Sequence, residues 1–161
     1  MRRKNILLLG LILLALSLLG FIFTYVYSNS VAYSLSGRLF LSESSAHSYL
    51  VPVKPGDIIT VSGNSTHPID VIVIGVVPKV IVENGTSFEA STICVASGTV
   101  YVMFRTLPYT NITEIDFNIK VYNSWFSGIG YIASSFILLM SLFVLGYYIL
   151  LTRRRVRKRR R

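Results

Sequence analysis

Residues 125–161 read WFSGIGYIASSFILLMSLFVLGYYILLTRRRVRKRRR. The first 27 of them, Trp125 to Leu151, carry no charge, and the last nine, Arg153 to Arg161, carry eight basic side chains. At about 1.5 Å per residue a helix over this apolar run reaches about 40 Å, longer than the roughly 30 Å hydrocarbon core of a bilayer. Trp125 and Phe126 at one end and Tyr147 and Tyr148 at the other form the aromatic belt of a spanning helix. Clustered Lys and Arg beside a span stay on the cytoplasmic side. Arg153, Arg154, Arg155, Arg157, Lys158, Arg159, Arg160 and Arg161 therefore set the orientation, and their charge suits anionic headgroups.

The other end of the chain repeats this grammar. Arg2, Arg3 and Lys4 precede Ile6 to Tyr27, 22 uncharged residues of which nine are Leu. A cleaved signal peptide is the competing reading, but its apolar region runs about 7–15 residues, and this stretch closes on Phe21, Phe23, Tyr25 and Tyr27, which suit a membrane interface. A retained anchor is expected, with both termini cytoplasmic and the middle of the chain outside the plasma membrane. The expected organisation is a cytoplasmic N-terminus over 1–4, a first transmembrane helix over 5–27, an extracytoplasmic β-sandwich over 28–124, a second transmembrane helix over 125–151 and a polybasic tail over 152–161.

Composition agrees with that partition. The chain is 52% hydrophobic with mean hydropathy +0.59, too apolar for an ordinary soluble domain. Its net charge of +9 resides at the ends, where 11 of the 16 basic residues lie; residues 28–124 hold all seven acids against five bases. The basicity is a topology signal, and the tail lacks the aromatic residues on which nucleic-acid bases stack, so nucleic acid is not an expected partner. Neither span contains Asp, Glu, Lys, Arg or His, which argues against a proton path, an ion site or a voltage sensor built from charges there.

Small residues recur at helical spacing in both spans. Gly10, Ser17 and Thr24 follow one another at seven, with Gly20 beside them; Ser127, Gly130, Ser134 and Ser141 lie on one stripe of the second span. Such stripes let helix backbones approach closely, so a packed antiparallel hairpin is expected, with the same seams available to a protein partner in the membrane.

Residues 28–124 read as strands. Tyr33, Leu35, Gly37, Leu39 and Leu41 alternate with Ser34, Ser36, Arg38, Phe40 and Ser42, and Ile115, Phe117, Ile119 and Val121 with Glu114, Asp116, Asn118 and Lys120. Shorter β-branched runs cover Tyr49 to Val53, Ile58 to Val61, Val71 to Val77, Val80 to Val82, Ser91 to Ala96 and Val100 to Arg105. Pro55-Gly56-Asp57 suits a type II turn, and Asn84-Gly85 and Ser97-Gly98 suit two-residue hairpins. Seven or eight short strands make an antiparallel sandwich the expected architecture, a small open barrel the alternative. The run from Val53-Lys54-Pro55-Gly56-Asp57 to Pro68-Ile69-Asp70-Val71 resembles the rhythm of jelly-roll surface modules, among them bacterial and archaeal pre-peptidase C-terminal domains and the Golgi-dynamics domains of p24-type cargo receptors. The resemblance covers about 25 residues of this chain and implies an adhesive or recognition domain. The N-terminal anchor and the lack of membrane-proximal heptads depart from p24 proteins, so cargo sorting is not implied.

Three sequons, at Asn64, Asn84 and Asn111, fall in the external segment and are expected to be glycosylated in turns or loops. His47 and His67 stand among Ser and Thr without ligand spacing, no G-x-S-x-G frame accompanies them or Asp57 and Asp70, and no phosphate-cradling glycine loop exists, so neither catalysis nor a metal or cofactor is expected. The single cysteine, Cys94, excludes an internal disulfide and reads as a small buried hydrophobe. The expected function is that of an envelope interaction or scaffold protein. The alternatives are an accessory subunit of a larger membrane complex and a carbohydrate-binding surface module.

Overall fold

A computed structural model describes residues 3–75, 78–95, 97–108 and 112–159, with backbone alone at residues 3 and 153–159. The elements run α1 (Arg3–Ser28), β1 (Val31–Leu41), β2 (Ala46–Val53), β3 (Ile58–Ile74), β4 (Pro78–Ile93), β5 (Gly98–Thr106), β6 (Thr113–Tyr122) and α2 (Ser127–Arg159). The two helices form one compact unit and Ser28–Trp125 another.

Leu-rich, proline-free sequence makes α1 and α2 continuous. Both are long and apolar enough to cross a membrane, over Lys4–Ser28 with mean hydropathy 3.0 and Ser127–Thr152 with 2.1. The second helix does not stop at Leu151: its backbone continues through the basic run to Arg159, while Arg160 and Arg161 lie outside the described residues.

Among the described residues six strands form one antiparallel sheet, where a sandwich of seven or eight shorter strands was expected. Along its path the order is β1-β6-β3-β5-β2, with β4 on the other side of β3. The sheet bends strongly, and β1 and β2, at the ends of the path, touch, giving a nearly barrel-like domain. Two expectations fail together here. Ile58–Val61 and Val71–Ile74 lie in one 17-residue strand, and Asn84-Gly85 is a bulge within 16-residue β4, with Asn84 at φ 53, so no hairpin turn occurs there. The turn at Pro55-Gly56 does form: Gly56 has φ 91, and Asp57 N–H donates to Lys54 O at 3.0 Å.

The cause is a change of neighbours in β3. Residues 58–65 pair with β6, residues 69–74 pair with β5, and β4 follows β3 through both halves with register shifts between Asn64 and Val71. Inward positions repeat every second residue on each strand: Ile59 and Val61, Val71 and Val73, Val100, Val102 and Phe104, and Ile115 to Val121. One cross-strand row reads Gly37, Phe117, Gly63, Phe88. A Cβ at Gly63 would collide with the Asp116 carbonyl oxygen and stand 2.8 Å from the Phe88 ring, so the glycine lets the β6 backbone approach and seats that ring. Phe104 sits against Tyr49, Phe88 and Phe117, closing the core between the two halves.

Side chains take over where the ladder is interrupted. Ser65 Oγ donates to His67 O at 2.7 Å, Thr66 Oγ1 accepts Glu114 N–H at 3.0 Å, and Asp70 Oδ1 accepts Asn84 N–H at 3.0 Å. The other oxygen of Asp70, a residue only 4% exposed, accepts from Arg105 at 2.5 Å. Burial by itself pushes this carboxyl upward, but the Arg105 hydrogen bonds, the Asn84 N–H and the guanidinium charge together hold it below the ordinary carboxylate range. A carboxyl with a depressed folded-state pKa stabilises the fold above its unfolded value of about 4, and that contribution is lost as pH falls through the folded value. Asp70→Asn is therefore expected to cost about 1–2 kcal/mol at neutral pH. Thermal melts of wild type and variant, followed by the β signal in circular dichroism, should converge on acidification; a constant gap across that range would refute the role given to Asp70.

Candidate functional site

Burial in the helical unit runs opposite to that of a soluble protein. Ser17 and Ser141 are 0% exposed, whereas Ile132 and Phe143 are 73% and 76% exposed. Gly10, Thr24, Gly130 and Ser134 are also buried. Ser17 Oγ donates to Ser134 O on the facing helix at 2.9 Å, and Ser141 Oγ donates to Gly10 O at 2.9 Å in the opposite sense. Thr24 Oγ1 folds back on Gly20 O at 2.8 Å. A side chain at Gly10 would meet Leu145 at 2.6 Å, one at Gly20 would meet Ser134 Oγ at 2.6 Å, and one at Gly130 would collide with Thr24. Ser127 is half-buried in the first turn of α2. Aromatic pairs Phe21–Tyr131 and Tyr27–Phe126 close the same interface, at centroid distances of 6.2 and 6.0 Å. Leu145 and these rings escaped sequence reasoning, because a large apolar residue in an apolar helix gives no sign of whether it faces lipid or protein.

The β domain has two unlike outer faces. Across β1, β6, β3 and β4 the outward rows are Ser34-Lys120-Thr60-Ser91, Ser36-Asn118-Ser62-Glu89 and Arg38-Asp116-Asn64-Ser87. Arg38 bridges Glu114 at 2.8 Å and Asp116 at 2.9 Å, and a groove of about 610 Å³ runs over Ser36, Ser62, Asn64 and Asn118. The side-chain oxygen of Asn118 is buried without a hydrogen-bond partner among the described residues. Across β2, β5, β3 and β4, by contrast, the outward rows are Leu50-Tyr101-Ile74-Pro78 and Ser48-Met103-Ile72-Val80. Leu50, Tyr101 and Val80 are exposed. The signal for this second face was present in sequence: Tyr49–Val53 and Val71–Val77 are apolar without alternation, which marks strands apolar on both sides.

The remaining singled-out residues are dispersed. Asn64 and Asn84 are exposed, the first within β3 and the second in the β4 bulge, so these two sequons lie in strands where turns were expected; Asn111 lies outside the described residues. Their Ser, Thr and Asn content is turn-like because it serves a bend. His47 packs on Tyr49 at 4.8 Å, and His67 Nδ1 lies 3.3 Å from Thr66 Oγ1. Asp57 Oδ2 accepts Lys54 N–H at 2.8 Å, pinning the Pro55-Gly56 turn, so both aspartates of the quoted motif are tied to backbone amides. Cys94 is buried, its N–H donating to Asp57 O at 2.8 Å. Among the described residues no three His, Cys, Asp or Glu side chains are grouped to hold a metal. Side chains of the basic tail are outside the description.

No protein-family model matches the chain, and no curated protein matches it. Among solved structures the chain is similar to PliG of Aeromonas hydrophila, a periplasmic lysozyme inhibitor of g-type lysozyme, at 13% identity over 56% of this chain and 87% of that one, with TM-score 0.48. It is also similar to a de novo designed double-stranded β-helix, at 14% identity over 54% and 97% with TM-score 0.36. A third is the carbohydrate-binding module CBM36 in complex with calcium and xylotriose, at 14% identity over 59% and 94%, TM-score 0.36.

The seam geometry predicts a graded response. Gly130→Leu should drive the helices apart through the clash with Thr24, whereas Ser17→Ala removes one interhelical hydrogen bond worth about 0.6 kcal/mol in a membrane setting. Leu139→Ala, on the exposed side, should change little. Disulfide-trapping rates between cysteines placed on the two helices read the separation; equal rates in all three variants would remove the seam.

Proposed function

We propose that this is a two-pass membrane protein that holds an antiparallel β domain outside the cell as an interaction or scaffold component of the envelope, without catalytic activity. One observation carries the reading: the inverted burial of the helix pair, with hydroxyls and glycines inside and Leu, Ile and Phe outside. Water would penalise that arrangement, while lipid tails solvate exposed Leu and leave close backbone packing and interhelical hydrogen bonds as the favourable terms. The basic residues flanking both apolar helices support cytoplasmic termini and a β domain outside. The exposed sequons suit that compartment, and glycans on Asn64 and Asn84 would stand away from the core.

The interaction itself is supported by the apolar outer face at Leu50, Tyr101, Ile74 and Val80. Strands with one wet face keep it polar, as the opposite face of this domain does, so a second apolar face fits a protein partner in the envelope. Tyr offers such a partner both a large apolar surface and a hydroxyl. Leu50→Ser with Tyr101→Ser should leave the thermal melt near wild type and abolish site-specific photo-crosslinking from position 80 to the partner in intact cells. Ser36→Ala with Ser62→Ala on the polar face should leave it intact. Unchanged crosslinking in the first variant would move the interaction off this face.

A further inference from the structure

The polar outer face described above stops being polar at one end. Its last row is Val31, Tyr122, Ile58 and Ile93, directly paired across β1, β6, β3 and β4. Every outward row further along carries Ser, Thr, Asn, Lys, Arg, Asp or Glu. Ile93 is 66% exposed and Val95, just beyond it, 77%.

This is also the end at which the chain enters and leaves the domain. Asn123 N–H donates to Ser30 O at 3.1 Å and its side-chain amide to Ser30 Oγ at 3.0 Å, holding the two crossing points side by side. The loop carrying Val95 is fixed there as well: Gly56 N–H donates to Cys94 O at 2.7 Å, Cys94 N–H to Asp57 O at 2.8 Å, and Ser124 Oγ to Gly56 O. Lys54 lies over the Trp125 ring at 5.3 Å. Next along the chain, Tyr27 and Phe126 already belong to the unit formed by the apolar helices.

We propose that this end of the β domain is a lipid-contacting surface, with Ile93 and Val95 entering the outer leaflet and Lys54 and Trp125 at headgroup level. The inference rests on the membrane reading above. Three features select lipid over a protein occupant. The apolar row is confined to the end at which the chain passes to and from the two apolar helices. The aromatic and basic residues at the same end, Trp125 and Lys54, are the types that partition into the interface. The loop presenting Val95 is held by paired backbone bonds, so its apolar tip enters lipid without a further ordering cost.

The test uses the full chain in nanodiscs of phosphatidylcholine and phosphatidylglycerol. Trp125 is the single tryptophan, so quenching of intrinsic fluorescence by brominated phosphatidylcholine reports the membrane reading by itself. A spin label at Val95→Cys in a Cys94→Ala background reports the inference, with Ser62→Cys in the same background as the wet reference. The expected result is a quenched Trp125, and at position 95 a several-fold lower collision rate with a water-soluble nickel chelate than at position 62, with a higher one for oxygen. A quenched Trp125 with position 95 as wet as position 62 overturns the lipid contact and leaves the anchoring intact. An unquenched Trp125 overturns both. Should Cys94→Ala not fold, a benzoylphenylalanine at Val95 in the otherwise native chain gives lipid adducts by mass if the proposal holds; adducts to protein alone, or none, refute it.

Discussion

A strand that changes partners halfway along must leave some backbone amides without a ladder, and the β domain depends on how β3 meets that constraint. Between Asn64 and Val71 the register of β3 slips while its neighbour changes from β6 to β5. The freed groups are taken by Ser65, Thr66 and Asp70, whose oxygens serve His67 O, Glu114 N–H and Asn84 N–H. Two of these bonds are part-buried and the one to Glu114 is exposed, so the three short polar side chains each contribute about 0.5–1.5 kcal/mol to letting one continuous strand serve both halves of the sheet. Arg105 completes the arrangement by neutralising Asp70, the one carboxylate with which the bend is built. The inward rows of both halves then meet on Phe104.

In the membrane setting proposed for the helices, the same constraint on backbone polar groups would apply under a different solvent. Inside a bilayer only a self-satisfied helix is tolerated, which long uninterrupted α1 and α2 supply. Large side chains gain little by leaving lipid, so the interface goes to residues that permit close approach, and Ser17 and Ser141 add hydrogen bonds to facing carbonyls. One chain thus applies opposite burial rules in its two units: aliphatic and aromatic residues fill the β core, while glycine and hydroxyls fill the helix seam.

The helices were legible because charge, length and periodicity agree over more than twenty residues, and the seam because Gly, Ser and Thr stand out against Leu. The alternating strands β1 and β6 were legible for the same reason. The two longest strands were not. Asn64-Ser65-Thr66-His67-Pro68 and Asn84-Gly85 carry the residues that make turns, since both a turn and a bend need side chains that bond to nearby backbone, and local sequence does not reveal which is being served. Six strands among the described residues were consequently read as seven or eight shorter ones. The apolar outer face was missed because Leu50, Ile74 and Tyr101 were read within generic apolar runs, whose lack of alternation was the available signal.

Two crossings with the β domain outside and both basic ends inside is the claim on which the functional reading stands. Protease added to intact cells, with epitope tags fused at Met1 and Arg161, measures it directly. The account predicts cleavage within residues 28–124 and complete protection of both tags until the membrane is permeabilised. Loss of either tag in intact cells, or an N-terminus at Ser28 or Val31 by mass spectrometry, would contradict it.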